Sequence, residues 1–333
     1  MTAQHSAAQH STAEQLTAEQ LTARRAGVPL QHPGPRTPER IAAVPTGVTV
    51  VRAELPPGAN VVGELWRITE AAGCRAACAE LAHGSFGTLR YVHPAVGAER
   101  PAFYSDTIEP AGPCFVLGGS ATVGTREDRA FAHLHATWLD EHGRVRGGHL
   151  LPETTVGDAA IEATVRLLHD AAYVSDTCPE TSMPAFTPHA LTPHTFAPHA
   201  QAEPATTQAV AARILPGEDL HDAVRTVAAR AGFDSAVVRA SLGSAVGARL
   251  RTGPGRITEA DWPATEFTSL TGTVRAGDAI LTATLVDRNG DVHSGRVLPG
   301  QNPVAVTFEL YVERADAALA DRGGAHTTEE AQA

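Results

Sequence analysis

The sequence predicts two tandem copies of one β-rich domain, each with a helix near its start. A chain of 333 residues has the length of two typical domains. Two blocks, residues 45–176 and 208–315, can be laid over one another, and their turn residues keep one offset of 147 positions, the difference between Asp287 and Asp140. A repeat this long indicates domain duplication and not a solenoid. The matched pairs are Asp140 with Asp287, Gly143 with Gly290, Gly148 with Gly295, Pro152 with Pro299 and Glu162 with Glu309.

Both blocks open with a helix-like run that follows a Pro-Gly start signal and stops at glycine. The run ends at Ala72-Gly73 in the first block and at Ala231-Gly232 in the second. A strand that leads into Gly-Ser follows each helix, with the sequences A-C-A-E-L-A-H-G-S and A-V-V-R-A-S-L-G-S. The shared order of helix and strand supports the duplication.

Three polar segments surround the two blocks. We predict a disordered or extended N-terminal segment over residues 1–44 and a disordered tail over residues 316–333, because both are poor in apolar residues. Residues 177–207 form a Pro/His-rich stretch with a histidine at every fifth position, at His189, His194 and His199. Proline before each histidine excludes a regular helix. The stretch is either a metal-scavenging tract or an inter-domain linker, and the lack of fixed geometry favours the linker.

Charge and composition bound the partners and the environment of the chain. The formal net charge is -11 and no basic arm occurs, so we expect no nucleic-acid partner. The N-terminus has no apolar targeting region and no stretch reaches a membrane-spanning length, which predicts a soluble, cytoplasmic protein. In that reducing environment the four cysteines are expected to be free, buried thiols. They are Cys74, Cys78, Cys114 and Cys178.

A hairpin is predicted to bring three histidines together in the first domain. Residues 132–139 and 144–151 are typical of strands, and the segment Asp140-Glu141-His142-Gly143 between them suits a three-residue loop closed by glycine. This loop fixes a register in which paired residue numbers sum to 284. His135 then lies opposite His149, and His133 lies on the same face because it is two residues before His135.

Three imidazoles on one face form the ligand set of catalytic zinc sites, which leave a fourth position for water or substrate. Zinc lowers the pKa of bound water and polarises carbonyls. The alternative is a polar, solvent-facing sheet with chance histidines, since the chain has 16 of them. The second domain offers an internal control, because its equivalent residues Ile280, Thr282 and Arg296 are no ligand triad. We therefore predict a divalent metal ion, with zinc as the favoured ion, at His133, His135 and His149.

Four further residues are candidates for the chemistry of this site. Arg90 and Arg146 are predicted to hold a carboxylate of the substrate, although surface arginines are common, and Tyr104 is predicted to orient the substrate. Glu162, which recurs as Glu309, is either a general base or a structural strand residue. Nothing in the sequence argues for a nucleotide cofactor, since no G-x-G-x-x-G or Walker motif occurs.

The chain resembles the plants-and-prokaryotes-conserved (PPC) domain family, in its tandem two-domain bacterial form. The resemblance rests on P-G-E-D-L at 216–220, L-G-S at 242–244, H-L-H at 133–135 and G-G-H-L at 147–150, and on the tandem-form features H-P-G-P at 32–35, Y-S-D-T at 104–107 and H-L-L-P at 149–152. It implies an α+β fold, with a mainly antiparallel sheet and one principal helix in each domain. It also implies assembly as a trimer, and metal binding in some prokaryotic relatives through histidines that match His133, His135 and His149. Plant members accompany AT-hooks in DNA-binding regulators, but this chain has no R-G-R-P hook.

Two classes of function follow from these observations. The leading hypothesis is a metal-dependent hydrolase or lyase that acts on a small, carboxylate-bearing molecule at the three-histidine site. The alternative is a non-catalytic regulatory, DNA-binding or oligomerisation protein. A third reading, a purely structural oligomer, predicts that the histidines tolerate replacement.

Overall fold

A computed structural model describes residues 27–96, 101–191 and 207–315 of the chain. They contain two helices of eleven residues each, α1 (Val61–Ala71) and α2 (Leu220–Arg230). The strands are β1 (Ile41–Thr46), β2 (Val48–Leu55), β3 (Ala76–Ala82), β4 (Ser85–Phe86), β5 (Tyr91–Val92), β6 (Pro94–Ala95), β7 (Phe103–Tyr104), β8 (Cys114–Arg126), β9 (Arg129–Leu139), β10 (Val145–Leu150), β11 (Ile161–Leu168), β12 (Ala171–Thr177), β13 (Pro184–Ala190), β14 (Ala209–Ile214), β15 (Ser235–Ala245), β16 (Arg249–Gly253), β17 (Arg256–Glu259), β18 (Thr265–Arg275), β19 (Asp278–Val286), β20 (Val292–Val297) and β21 (Val304–Arg314).

Both helices begin at a side-chain cap that satisfies free backbone donors. The side chain of Asn60 accepts a hydrogen bond from the Gly63 amide at the start of α1, and Asp219 accepts two at the start of α2. Each helix ends before a glycine with positive φ, 73° at Gly73 and 68° at Gly232. The helices that the sequence predicts are therefore present in both domains.

Two large sheets repeat one strand order. In the first domain the order is β2-β11-β3-β8-β9-β10-β5, and in the second it is β14-β21-β15-β18-β19-β20-β16, with β1 and β17 at the two ends. Nearly all pairs are antiparallel; β12 meets β8 in parallel at a single pair of residues. The prediction of an α+β fold with two tandem, mainly antiparallel domains is confirmed.

The N-terminal strand β1 completes the sheet of the second domain. It pairs with β14 from Ile41 opposite Ile214 to Thr46 opposite Ala209. Pro45 is tolerated there because β1 is an edge strand. The segment predicted as disordered or extended over residues 1–44 thus contains part of a strand, on which Ile41 and Val44 are buried on opposite faces, in two different core clusters. Residues 1–26 lie outside the described part of the chain.

The predicted linker over residues 177–207 also contains a strand. β13 pairs with β12 along its length, and Phe186 on β13 packs with Tyr173 and Tyr311 in a buried cluster shared by the two domains. Burial of the Phe186 ring stabilises this strand, which the Pro/His-rich composition of the segment did not predict. His189 is exposed on this strand, while His194 and His199 lie outside the described residues. The domain boundaries, together with the 316–333 tail, stay predictions.

The cysteines and the helices bear on the expected environment of the chain. The four cysteines are buried and free, as the sequence predicts. Among the described residues, neither helix is long and apolar enough to cross a membrane.

Candidate metal centre

The hairpin β9–β10 has the register that the loop sequence predicts. Leu139 lies opposite Val145, and His135 lies opposite His149. The turn is closed by the Asp140 amide, which donates to the Arg144 carbonyl at 2.9 Å. The prediction of a loop that aligns the histidines is confirmed.

The three imidazoles converge on one point. His135 Nε2 lies 2.9 Å from His133 Nε2 and 3.1 Å from His149 Nδ1, and all three ligand atoms are within 4.8 Å of one another. Two imidazole nitrogens that bind one tetrahedral zinc ion at 2.0–2.1 Å are about 3.3 Å apart. The donor set therefore fits a single divalent ion once the rings adjust to that spacing.

The second domain provides the polar partners of two of these rings. His135 Nδ1 donates to the Phe267 carbonyl at 2.9 Å, and His133 Nδ1 shares a short hydrogen bond with the buried Glu309 carboxyl. These bonds hold the outer nitrogens, so that both Nε2 atoms face the common point. Glu266 adds a carboxylate 3.0 Å from His135 Nε2. The site is thus built by both domains, although the histidines come only from the first.

Burial and mutual repulsion set the charge of the cluster. Burial, together with the neighbouring His135, lowers the pKa of His133 to about 3, and burial likewise holds the pKa of His149 well below its ordinary value. Burial also opposes protonation of His135, but the Glu266 carboxylate outweighs it and raises the pKa of this ring. Burial raises the pKa of Glu309 to about 8, so near neutral pH one proton lies between Glu309 and His133. Two neutral rings are already in the form that metal ligation requires.

A cavity of about 220 Å³ adjoins the cluster and lies between the two domains. Its polar groups include Tyr104, whose ring centroid is 5.1 Å from that of His149, and Arg126, whose guanidinium lies 5.6 Å from the Phe131 ring centroid. Burial raises the pKa of Tyr104, which keeps its hydroxyl protonated. The remaining wall is largely apolar, from Phe103, Leu151, Met183, Phe186, Ala264 and Val306.

Of the four additional residues predicted for the site, only Tyr104 lies in it. Arg90 is paired with Glu109 at 2.5 Å, and Arg146 is paired with Asp140 at 3.0 Å within the hairpin, so neither guanidinium lines the cavity. Glu162 is exposed on β11. The structure places these three side chains away from the histidines because local partners or the outer face of the sheet hold them.

Sequence reasoning missed three residues that the structure brings to this region: Glu266, Glu309 and Arg126. The 147-residue repeat had already linked Glu309 to Glu162, but it gave no sign that the copy in the second domain would be the one near the histidines. Glu266 and Arg126 carried no signal, because their positions depend on how the two domains pack.

One known domain family matches the chain over two segments. The family model of the Plants and Prokaryotes Conserved (PCC) domain, the PPC domain named above, matches residues 43–166 and 201–316. A search of curated proteins finds no match.

Several solved structures are similar to parts of the chain. A plant- and prokaryote-conserved protein from Pyrococcus horikoshii is 17% identical, with 47% of this chain and 99% of that chain covered and a TM-score of 0.36. A metal-containing protein from Archaeoglobus fulgidus is 20% identical, with 44% and 98% covered and a TM-score of 0.36. A Ralstonia eutropha protein, provisionally described as DNA-binding, is 21% identical, with 44% and 94% covered and a TM-score of 0.34.

The two segments matched by the family model span more than half of the chain, and they coincide with the two sheets described above. The chain therefore belongs to the Plants and Prokaryotes Conserved domain family.

Proposed function

We propose that this protein is a metal-dependent enzyme, of the hydrolase or lyase type, that acts on a small acid held between its two domains. The observation that carries the proposal is the convergence of three imidazole nitrogens beside a largely apolar cavity. A purely structural sheet has no need for three imidazoles that crowd at 2.9 and 3.1 Å, one of them fully buried. An ion between them would take one nitrogen from each ring and would displace the proton of His135.

His133, His135 and His149 would hold the ion, and zinc is favoured because imidazole nitrogens suit it. A bound zinc ion supplies Lewis acidity, which polarises a carbonyl or a water molecule. Glu309 and the Phe267 carbonyl orient two of the rings from the second domain. Glu266 lines the cavity, and its carboxylate lies 3.0 Å from His135 Nε2. Its carboxylate is the group placed to accept a proton from a bound molecule.

The cavity indicates the class of substrate. Its walls suit an apolar body, and Arg126 is the guanidinium available to pair with a carboxylate. Within the described part of the chain, Arg126 makes no ion pair with a carboxylate; it stacks on Phe131, which restricts its motion. The Tyr104 hydroxyl, protonated at neutral pH, is placed to donate a hydrogen bond. Arg126 thus takes the role that the sequence suggested for Arg90 and Arg146.

Metal analysis of the purified protein tests the ligand set. The His135→Ala variant should lose the ion, whereas Thr282→Ala, the change at the equivalent position of the second domain, should keep it. We expect about one zinc equivalent per chain in the wild type and in Thr282→Ala after reconstitution, and close to none in His135→Ala. Equally low metal in all three proteins would end the enzymatic proposal, and stoichiometric DNA binding at physiological salt would favour the regulatory alternative.

Binding of a probe acid tests the substrate class. Phenylacetate and its uncharged amide, phenylacetamide, have the same apolar body and differ in the carboxylate. Loss of a charge-assisted pair predicts that Arg126→Met weakens phenylacetate binding by roughly tenfold and leaves the amide unchanged. The control is Arg129→Met, which changes an exposed residue on β9 that pairs with Arg126 on β8. Equal loss of affinity for both probes, or no loss for either, would contradict the pairing of Arg126 with the substrate carboxylate.

A further inference from the structure

Four charged side chains occupy equivalent positions in the two domains with their signs reversed. They form a group with a buried centre, here named the interdomain quartet, where the two sheets meet. The quartet consists of Glu80 and Arg166 in the first domain and of Arg239 and Glu313 in the second.

The strand registers establish that these positions are equivalent. On β3 and β11 of the first domain, Glu80 is the partner of Thr164. On β15 and β21 of the second domain, Arg239 is the partner of Tyr311, which is 147 positions after Thr164. Arg239 therefore stands where the first domain has Glu80. By the same offset, β21 has an acid where β11 has Arg166.

Within each domain, the acid and the base neutralise one another. Arg166 Nη1 lies 2.9 Å from Glu80 Oε2, and Arg239 Nε lies 2.7 Å from Glu313 Oε1. Across the interface, Arg166 Nε lies 3.6 Å from Glu313 Oε2. The side chains of Arg166 and Glu313 are only 2% and 8% exposed, so this contact is screened little by solvent.

Further contacts tie the quartet to the interface. The Arg166 guanidinium lies 5.8 Å from the centroid of the Tyr311 ring, and the Tyr311 hydroxyl donates to Glu313 at 3.0 Å. Glu80 Oε1 accepts from the Ala240 amide of the other domain at 3.3 Å. Each domain thus recognises the charge pattern of the other through buried polar groups.

We propose that the reversed charges select the pairing of unlike domains, so that the first domain accepts a second domain and rejects another copy of itself. The equivalent positions of Arg166 and Glu313 meet directly across the interface. Two first domains packed in the same way would bring two buried guanidinium groups together, and two second domains would bring two carboxylates together. An unpaired or like-charged buried group is strongly destabilising, and such repulsion is an established source of specificity.

Charge swaps within the full chain test this selection. The half swap Glu80→Arg/Arg166→Glu keeps the ion pair inside the first domain but gives both domains the same pattern, with two carboxylates facing across the interface. The half swap Arg239→Glu/Glu313→Arg does the same with two guanidinium groups. The quadruple variant, which combines both half swaps, restores opposite charges across the interface. Thermal unfolding of the four proteins forms a double-mutant cycle.

We expect each half swap to lower the unfolding midpoint by at least about 6 °C and the quadruple variant to regain more than half of the summed loss. The control Asp222→Arg/Arg225→Asp reverses an exposed pair within α2 and should leave the midpoint within about 2 °C. A quadruple variant that loses as much as the two half swaps together would overturn the proposal. If one half swap does not fold, recovery of a folded quadruple variant still supports the proposal, and an unfolded quadruple variant contradicts it.

Discussion

The hairpins β9–β10 and β19–β20 have the same loop and the same register, yet they occupy different surroundings. In the first domain, the face that carries the histidines is covered by β18 and β21 of the second domain, and His135 is fully buried. In the second domain, Ile280 at the equivalent position of His133 is 49% exposed, and Thr282 and Arg296 are exposed as well. The strands that build a hairpin thus do not decide whether its face becomes a site.

The difference indicates a division of roles between two copies of one fold. The first domain provides the three imidazoles, and the second provides the carbonyl and carboxyl groups that are hydrogen-bonded to two of them. The imidazoles and the groups that orient them therefore lie in different copies of the domain. A duplicated chain can divide a site in this way because the two copies are covalently linked, so each can contribute different groups to one site.

Replacement of Glu309 should give the largest difference between the two copies. Glu309→Gln replaces the carboxyl group that is hydrogen-bonded to His133 Nδ1, and loss of such a partner behind a metal-binding histidine weakens metal binding by about 10- to 100-fold. Glu162→Gln changes the equivalent but exposed residue and should leave zinc affinity unchanged. Competition with a chromophoric chelator measures both. Equal affinity in the two variants would show that the second domain does not support the ligands.

These contrasts also explain which features could be predicted from the sequence. The offset of 147 and the loop at Asp140 are local, so they predicted the duplication and the pairing of His135 with His149. The roles of Glu266 and Arg126 depend on contacts between segments that are distant in sequence, and no spacing encodes such contacts. Arg146 pairs with Asp140 within its own hairpin, a contact that the turn chemistry of the loop does not predict.

The loop aspartates should have a smaller, shared effect on stability and an unequal effect on metal binding. Asp140 accepts from two backbone amides of its loop, and Asp287 does the same in the second domain. Asp140→Ala and Asp287→Ala should each lower the free energy of unfolding by about 1–2 kcal/mol.

Only Asp140→Ala should also weaken zinc binding, because its loop aligns His149 with His135. Urea unfolding and the chelator assay distinguish the two outcomes. Weaker zinc binding by Asp287→Ala as well would mean that the loop aspartates affect the ion through global stability and not through the register of the β9–β10 hairpin.

The smallest expected effect concerns pH, because the hairpins differ in the base that pairs with the loop aspartate. Arg146 pairs with Asp140 in the first domain, whereas His293 Nε2 lies 2.9 Å from Asp287 in the second. The hydrogen bond to Asp287 raises the pKa of His293, so the pair stabilises the fold fully below the unfolded pKa of about 6.5 and loses this contribution as pH rises through the folded pKa. Burial opposes ionisation of Asp287, but its hydrogen bonds lower its pKa, and its contribution is lost only as pH falls below about 4.

Replacement of this histidine by the arginine of the other copy should therefore remove one source of pH dependence. We expect His293→Arg to be more stable than the wild type at pH 8 by up to about 1 kcal/mol and nearly equal to it at pH 5.5. The reciprocal change, Arg146→His, should introduce the same loss of stability above pH 7 into the first domain. Unfolding free energies measured from pH 5 to pH 9 test both variants. Parallel pH profiles for all three proteins would contradict the assignment, because the histidine is the one member of this pair whose charge changes in that range.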